Sequence, residues 1–166
     1  PVGSSVLNLA AMVSEVFASD GVMSRADPQF QPRDGQTQMA QAVAATIEQG
    51  GALVVEAGTG VGKTFAYLVP VLLSGERVLL STATKALQDQ LFARDIPRLI
   101  QTLGLPVRVA LLKGRASYLC LHRMAQACHD MPAHDRGVAR VLSKVQEWSR
   151  STRSGDLAEL TGLDER

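Results

Sequence analysis

The sequence predicts an α/β protein, with a parallel β-sheet flanked by helices and followed by a mainly helical segment. Three observations indicate this class. Short valine-rich apolar runs alternate with helical patterns between residues 50 and 112, a glycine-rich turn joins one such run to a helix, and the strand pattern stops after Lys113. Strands that alternate with helices are typical of parallel sheets with right-handed crossovers.

The N-terminal segment is predicted to be mostly helical. Apolar residues at helical spacing favour an amphipathic helix over residues 4–18, whereas the glycine and prolines of residues 20–32 favour a loop. A second helix is predicted from about Gly35 to the glycine pair at residues 50–51, which would end it. One face of this helix carries the apolar residues Met39, Val43 and Ile47.

Three short apolar runs are predicted to be strands. Residues 52–55 form a continuous run, as expected of a strand that is buried on both faces of a parallel sheet. Residues 78–80 and 107–112 are predicted to be the second and third strands. Together the three runs would form part of one sheet.

Helices are predicted between and after these strands. One covers residues 63–73, where Pro70 is expected to kink or shorten it. Another covers residues 84–92 and can continue beyond Pro97. Residues 115–150 are predicted to be mainly helical. Interruptions are expected near Pro132 and Gly137.

Composition excludes several classes of protein. The 166 residues are 46% hydrophobic and 20% charged, which excludes a fully disordered chain. The longest apolar run, residues 65–73, is too short to cross a bilayer. No basic segment precedes the first apolar residues, so no secretory signal is visible. Two cysteines do not make a disulfide framework, and a cytoplasmic location is therefore expected.

The formal net charge of +1 conceals a segregation of charge along the chain. Residues 1–112 carry 8 Lys and Arg against 9 Asp and Glu, and residues 113–153 carry 8 against 3. Residues 154–166 carry 1 against 4. The basic block indicates a surface for a polyanion, although a solvated helix face explains the charge equally well.

The sequence AGTGVGKT fits the phosphate-loop pattern, with alanine at its first position. Glycines let successive backbone N–H groups converge on phosphate oxygens, and the helix that follows adds the positive end of its dipole. Lys63 would contact the β- and γ-phosphates of a nucleotide, and Thr64 would bind Mg²⁺. The predicted nucleotide-binding loop comprises Ala57, Gly58, Thr59, Gly60, Val61, Gly62, Lys63 and Thr64.

Three further segments accompany the phosphate loop along the chain. They are residues 33–36 (RDGQ), 81–91 (STATKALQDQL) and 113–120 (KGRASYLC). Together with residues 56–64, they resemble motifs of the superfamily 2 DNA helicases of the DinG/XPD type, which include the bacterial YoaA/DinG-like helicases. The resemblance implies a RecA-like sheet. It also implies an enzyme that couples ATP hydrolysis to translocation on single-stranded DNA and to duplex unwinding.

The resemblance implies roles for residues of the nucleotide site and of the DNA path. Gln36 would recognise adenine, because an amide offers a donor and an acceptor to the N6 and N7 edge of the base. Taken alone, Gln36 also fits a solvated glutamine at a helix start. Arg33 would lie at the same nucleotide site. Residues 81–91 resemble motif Ia, which contacts the backbone of single-stranded DNA in that family, and residues 113–120 resemble the entry to the iron–sulfur domain. The resemblance thereby implies DNA contacts by Thr82, Thr84, Lys85 and Arg115.

The cysteines allow two kinds of metal site. The spacing of Cys120 and Cys128 lacks the C-x₂-C pair of common zinc sites, which makes zinc the weaker interpretation. The resemblance implies that Cys120 is the first of four thiolate ligands of a [4Fe–4S] cluster. Cys128 does not match the family pattern and is interpreted as structural.

The resemblance also suggests how the chain is organised. Residues 1–32 would form an N-terminal helix and loop, residues 33–112 the N-terminal part of the first RecA-like motor domain, and residues 113–166 the beginning of an iron–sulfur domain. The pair Asp164–Glu165 does not follow a buried strand, so it does not fit the acidic motif that holds Mg²⁺ in such helicases. We therefore expect these 166 residues by themselves to show little or no ATPase activity and no unwinding.

Two other classes of function stay open from the sequence. One is a phosphate-loop kinase or another small NTPase, against which Gln36 and residues 81–91 argue. The other is a nucleotide-binding interaction module that does not hydrolyse its ligand. The kinase or small NTPase would have an acceptor-substrate lid and no dependence on DNA. The interaction module would differ from a helicase only in sequence beyond residue 166.

Overall fold

The computed structural model describes residues 8–130 and 136–161. The chain divides into two compact units, the first ending at Ala110 and the second beginning at Leu111. No helix within the described ranges has the length and apolar character that crossing a membrane requires.

Helices dominate the first unit. They are α1 (Leu9–Val16), α2 (Val22–Ala26), α3 (Asp34–Gln49), α4 (Lys63–Ser74), α5 (Lys85–Gln90), a π-helical turn (Leu91–Asp95) and α6 (Ile96–Leu103). The predictions of α3 and α4 are confirmed, and Pro70 lies inside α4 without shortening it. Gly50 follows α3 with a φ of 76°, a left-handed value that favours glycine, so the predicted end of this helix is also confirmed.

The N-terminal segment differs in part from the sequence prediction. Helix α1 is shorter than the predicted residues 4–18, of which residues 4–7 lie outside the described range. The segment predicted to be a loop contains α2. Gly21 precedes α2, and a β-carbon there would lie 2.4 Å from the carbonyl oxygen of Glu15. The chain can therefore turn this closely against the end of α1 only with glycine at that position.

The core of the first unit lies between α1, α3 and α4. Leu9, Val13 and Val16 line the buried side of α1. On α3 the buried side chains are Gln36, Ala40 and Ala44, and the two alanines are small enough to let α4 approach closely. The predicted apolar face of α3 is only half-buried. Its residues line an open groove together with two from the following segment: Met39, Val43, Ile47, Leu53 and Val55.

Helix α5, the π-helical turn and α6 follow one another without a gap, so the predicted continuation of this helix past Pro97 is confirmed. Pro97 lies in the first turn of α6. Proline has no N–H and its ring clashes with the carbonyl four residues earlier, here that of Ala93. A wider turn at this place accommodates the proline without ending the helix.

The predicted parallel sheet is not confirmed, because the described residues contain no β-strand. Residues 52–55, 78–80 and 107–112 have irregular backbone and largely exposed side chains. Val54 is 97% exposed and Leu79 is 91% exposed. A strand needs a neighbouring strand for its backbone hydrogen bonds, and these three segments do not pair with one another.

The described residues of the second unit form two longer helices and two short 3₁₀ turns. They are a turn at Arg115–Ser117, α7 (Leu121–His129), α8 (Arg136–Ser151) and a turn at Leu157–Glu159. The predicted helical character is confirmed. Helix α7 ends at His129 and α8 begins at Arg136, so a helix boundary lies next to Gly137, as predicted, and this glycine is part of the first turn of α8. Pro132 lies outside the described residues.

Polar contacts hold the two ends of the second unit together. The Nζ of Lys113 lies 2.6 Å from the Oδ2 of Asp156, and these side chains are only 6% and 13% exposed. Leu119 donates a backbone hydrogen bond to Gly155, and Tyr118 pairs with Asp156 in an isolated antiparallel bridge. Among the described residues of this unit, the buried ones are Ser117 and Asp156, so its interior is polar.

Candidate nucleotide site

The phosphate loop connects the irregular segment at residues 52–57 to the N-terminus of α4. Gly60 and Gly62 have φ values of 81° and 87°, in the left-handed region that glycine adopts without strain. The carbonyl of Gly62 accepts hydrogen bonds from the backbone N–H groups of Phe65 and Ala66, both at 3.1 Å, and so begins the helix. The loop and the positive end of a helix dipole thus lie side by side, as anion binding requires.

Lys63 folds back over the loop that precedes it. Its exposed ammonium group donates to the carbonyl oxygens of Ala57 at 2.6 Å and Gly58 at 3.0 Å. A phosphate group is a stronger acceptor for this cation than two neutral carbonyls are. The ammonium therefore lies where it can exchange these contacts for a phosphate.

The structure brings Arg33 and Gln36 to the phosphate loop from the start of α3. The side-chain amide of Gln36 donates to the carbonyl of Gly62 at 3.0 Å, and the guanidinium of Arg33 donates to the carbonyl of Gly60. Gln36 is only 4% exposed, which excludes the alternative interpretation of a solvated glutamine at a helix start. The loop backbone occupies one side of the amide that the resemblance assigns to adenine.

Tyr67 is a residue of this site that the sequence reasoning missed. Burial raises the pKa of its phenol, a hydrogen bond with the side chain of Thr64 opposes that shift, and the charge of Asp95 adds to it. Asp95 is itself 5% exposed and accepts hydrogen bonds from Gln90 and Arg94. The spacing of three residues between Thr64 and Tyr67 on a helix is the signal that could have identified the contact.

The residues predicted to contact DNA lie apart from the loop along the chain. Thr84 is the N-cap of α5 and accepts a hydrogen bond from the N–H of Leu87 at 3.2 Å. Thr82 donates to the carbonyl of Thr84 at 3.3 Å, and Lys85 is exposed in the first turn. Arg115 is exposed in the second unit. Each side chain except that of Thr82, which is half-buried, faces solvent where a phosphate could reach it.

The cysteines do not by themselves form a cluster site. Cys120 is exposed at the N-cap of α7, and Cys128 is half-buried with its sulfur 3.1 Å from the amide of Gln146. No group of three or more His, Cys, Asp and Glu side chains that could hold a metal ion occurs within residues 8–130 and 136–161. A [4Fe–4S] cluster needs four ligands, so the described residues do not fit one alone.

A glycine loop that ends in Lys63 and Thr64 at the start of a helix defines a phosphate-loop nucleotide-binding protein. Residues 36–143 match the family model for DEAD/DEAH box helicases. The chain belongs to the DEAD/DEAH box helicase family.

The chain is also similar to individual DNA helicases, which supports its assignment to this family. The chain is 45% identical to the ATP-dependent DNA helicase YoaA of Haemophilus influenzae, over 92% of this chain and 24% of that protein. It is 46% identical to YoaA of Escherichia coli over the same shares. It is 42% identical to the ATP-dependent helicase DinG of Mycobacterium tuberculosis, over 77% of this chain and 22% of that protein. The chain thus spans about a quarter of the length of these relatives.

Proposed function

We propose that this chain is the ATP-binding part of an ATP-dependent DNA helicase that moves on single-stranded DNA and unwinds duplexes. The observation that carries the proposal is the phosphate loop at the start of α4, with the Lys63 ammonium resting on the carbonyls of Ala57 and Gly58. The names of the relatives support the coupling of this ATP site to DNA.

We also propose that the complete protein forms a RecA-like parallel sheet from residues 52–55, 78–80 and 107–112. The exposure of Val54 and Leu79 supports this, because apolar β-branched and aliphatic side chains in short runs are suited to a buried sheet. Strands and helices from further sequence would pair with these segments and cover them. The proposed domains stay those of residues 1–32, 33–112 and 113–166.

The DNA path and the cofactors extend the proposal. Thr82, Thr84 and Lys85 would bind phosphates of single-stranded DNA, because hydroxyls, an ammonium and helix N–H groups suit that ligand. Thr64 would bind the Mg²⁺ of Mg·ATP, and Cys120 would contribute one thiolate of a [4Fe–4S] cluster. The expected location is the cytoplasm, where reduced thiols persist.

The test is ATP hydrolysis and strand separation by the full-length protein. We expect ATP hydrolysis that single-stranded DNA stimulates, and unwinding of a duplex that has a single-stranded tail. Lys63→Ala should abolish both, because phosphoryl transfer depends on charge stabilisation by this lysine. Arg77→Ala, which changes an exposed cation outside the loop, is the matched control. ATP hydrolysis that Lys63→Ala leaves unchanged would contradict the assignment.

A further inference from the structure

Side-chain donors hold carbonyl groups on both halves of the phosphate loop. Lys63 contacts the carbonyls of residues 57 and 58, Arg33 contacts that of Gly60, and Gln36 contacts that of Gly62. Two of these donors, Arg33 and Gln36, come from α3 and its N-cap rather than from the loop. Arg33 contacts a glycine 27 residues later in the sequence, and Gln36 contacts one 26 residues later.

The planarity of the peptide bond gives these contacts a second effect. In a trans peptide the C=O and the following N–H point in opposite directions, and no cis peptide occurs among the described residues. A donor that holds the carbonyl of Gly60 therefore turns the N–H of Val61 to the other side. At Gly62 the amide of Gln36 joins the N–H groups of Phe65 and Ala66 as a third donor to one carbonyl, and the N–H of Lys63 points to the opposite side of that peptide.

The N–H groups oriented in this way are available to a ligand. Within the described residues, no backbone or side-chain oxygen accepts a hydrogen bond from the N–H of Val61, Lys63 or Thr64. Backbone N–H groups at a helix start that lack a protein acceptor bind anions well. Two of these N–H groups, those of Val61 and Lys63, belong to the same peptides as the carbonyls that Arg33 and Gln36 contact.

The packing around Gln36 shows that its contact is built into the site. Gln36 is 4% exposed, and a β-carbon on Gly62 would lie only 2.2 Å from its Nε2. Gly35, next to it, would bring a β-carbon to 3.6 Å from the Cγ1 of Val61. The start of α3 therefore lies directly against the loop.

We propose that Gln36 and Arg33 are positioning residues, which hold the carbonyls of Gly62 and Gly60 so that the loop N–H groups face the phosphates. The inference rests on the proposed ATP binding and deepens it. Lys63 exchanges its carbonyls for phosphate, whereas the donors from α3 keep theirs. The two residues then contribute to the binding of any triphosphate, whether or not it carries adenine.

A ligand without a base tests this directly. Binding of ATP and of inorganic tripolyphosphate to the full-length protein is measured by displacement of a fluorescent ATP analogue. The variants are Gln36→Ala and Arg33→Met, and the matched control is Gln38→Ala, an exposed glutamine of the same helix. Because Gln36 is neutral, loss of its amide changes no charge at the site.

We expect Gln36→Ala to weaken the binding of both ligands by the same factor, about three- to tenfold, the effect of one hydrogen bond. Arg33→Met should weaken both by about tenfold or more, since its hydrogen bond is charged. Gln38→Ala should match the wild type. A loss of ATP affinity with unchanged tripolyphosphate affinity in both variants would overturn the proposal, because it would restrict these residues to reading adenine.

The same experiment distinguishes failure of the proposed ATP binding from failure of the positioning role. If the wild-type protein binds neither ligand, the proposed ATP function itself fails. If circular dichroism shows that Gln36→Ala does not fold, Arg33→Met decides, because Arg33 is exposed and lies at the helix N-cap. Unchanged tripolyphosphate binding by a folded Arg33→Met protein then overturns the proposal while ATP binding by the wild type stands.

Discussion

The buried amide of Gln36 donates a hydrogen bond to the carbonyl of Gly62 across 3.0 Å, and the same amide occupies the space of a β-carbon at position 62. Helix α3 and the phosphate loop are therefore fitted to each other. The contact joins a segment before the loop to the residue that begins α4. A substitution in α3 should therefore affect the phosphate loop, and a substitution in the loop should affect α3.

Gly62→Ala should destabilise the first unit and weaken nucleotide binding. A left-handed backbone costs a non-glycine residue about 1–2 kcal/mol, and the overlap with Gln36 adds to that cost. Thermal unfolding measures the loss. Gly58→Ala is the control, since nothing lies within 4 Å of a β-carbon there and its φ is not left-handed. Equal melting temperatures for the two variants would contradict the fitted contact.

The buried ion pair of the second unit should be sensitive to the loss of one partner. Lys113→Met leaves the Asp156 carboxylate buried without its cation at 2.6 Å, and breaking such a pair costs about 3–5 kcal/mol. Chemical unfolding of the protein measures this loss. The double variant Lys113→Met/Asp156→Asn removes both charges and keeps an acceptor for the N–H of Ala158, so it should be more stable than the single variant. The opposite order would refute the argument.

The ion pair between Asp27 and Arg98 should make the first unit sensitive to acid. The N–H of Gln29 and the guanidinium of Arg98 lower the pKa of Asp27 below its ordinary value. A carboxyl with a lower pKa in the folded state stabilises the fold above its unfolded pKa, and this contribution is lost as the pH falls through the folded pKa. We expect the wild type to lose more stability than Asp27→Asn as the pH falls from about 5 to values below the ordinary carboxyl pKa of about 3.9. Asp20→Asn is the exposed control. Parallel acid curves for the wild type and Asp27→Asn would exclude this role.

Hydrogen exchange tests the proposed sheet. In these 166 residues alone, amides of residues 53–55 and 78–80 should exchange much faster than those within α4, because no strand protects them. In the full-length protein the same amides should become protected, while those of α4 serve as the internal reference. Exchange that stays fast at both segments in the full-length protein would exclude them from a sheet.

Patterns that a short segment carries by itself were predictable from the sequence. The spacing in α3, the glycines after it and the phosphate loop before α4 depend on local preferences, and they appear as expected. A strand depends on a neighbour that supplies hydrogen bonds, so an apolar run such as residues 52–55 specifies only half of the structure. The turn into α2 depends on backbone carbonyls at residues 15, 16 and 18, which no local pattern reveals.

In the candidate site, too, residues within a local motif could be predicted, whereas contacts that arise from packing could not. Lys63 and Thr64 could be identified because the loop motif contains them. The burial of Gln36 against Gly62 could not, since it arises from the approach of α3 to α4. Tyr67 carries no motif; its contact with Thr64 is local to α4, but the effect of the Asp95 charge on it arises only once α4 lies near the π-helical turn.

Binding of ATP by residues 57–64 is tested most directly by a titration of the full-length protein with Mg·ATP. Equilibrium dialysis should show one nucleotide per chain at this site for the wild type and for Arg77→Ala. Lys63→Ala should weaken binding by at least about tenfold, the effect of losing one charge-assisted contact to phosphate. Binding by Lys63→Ala that equals the wild type would contradict the claim.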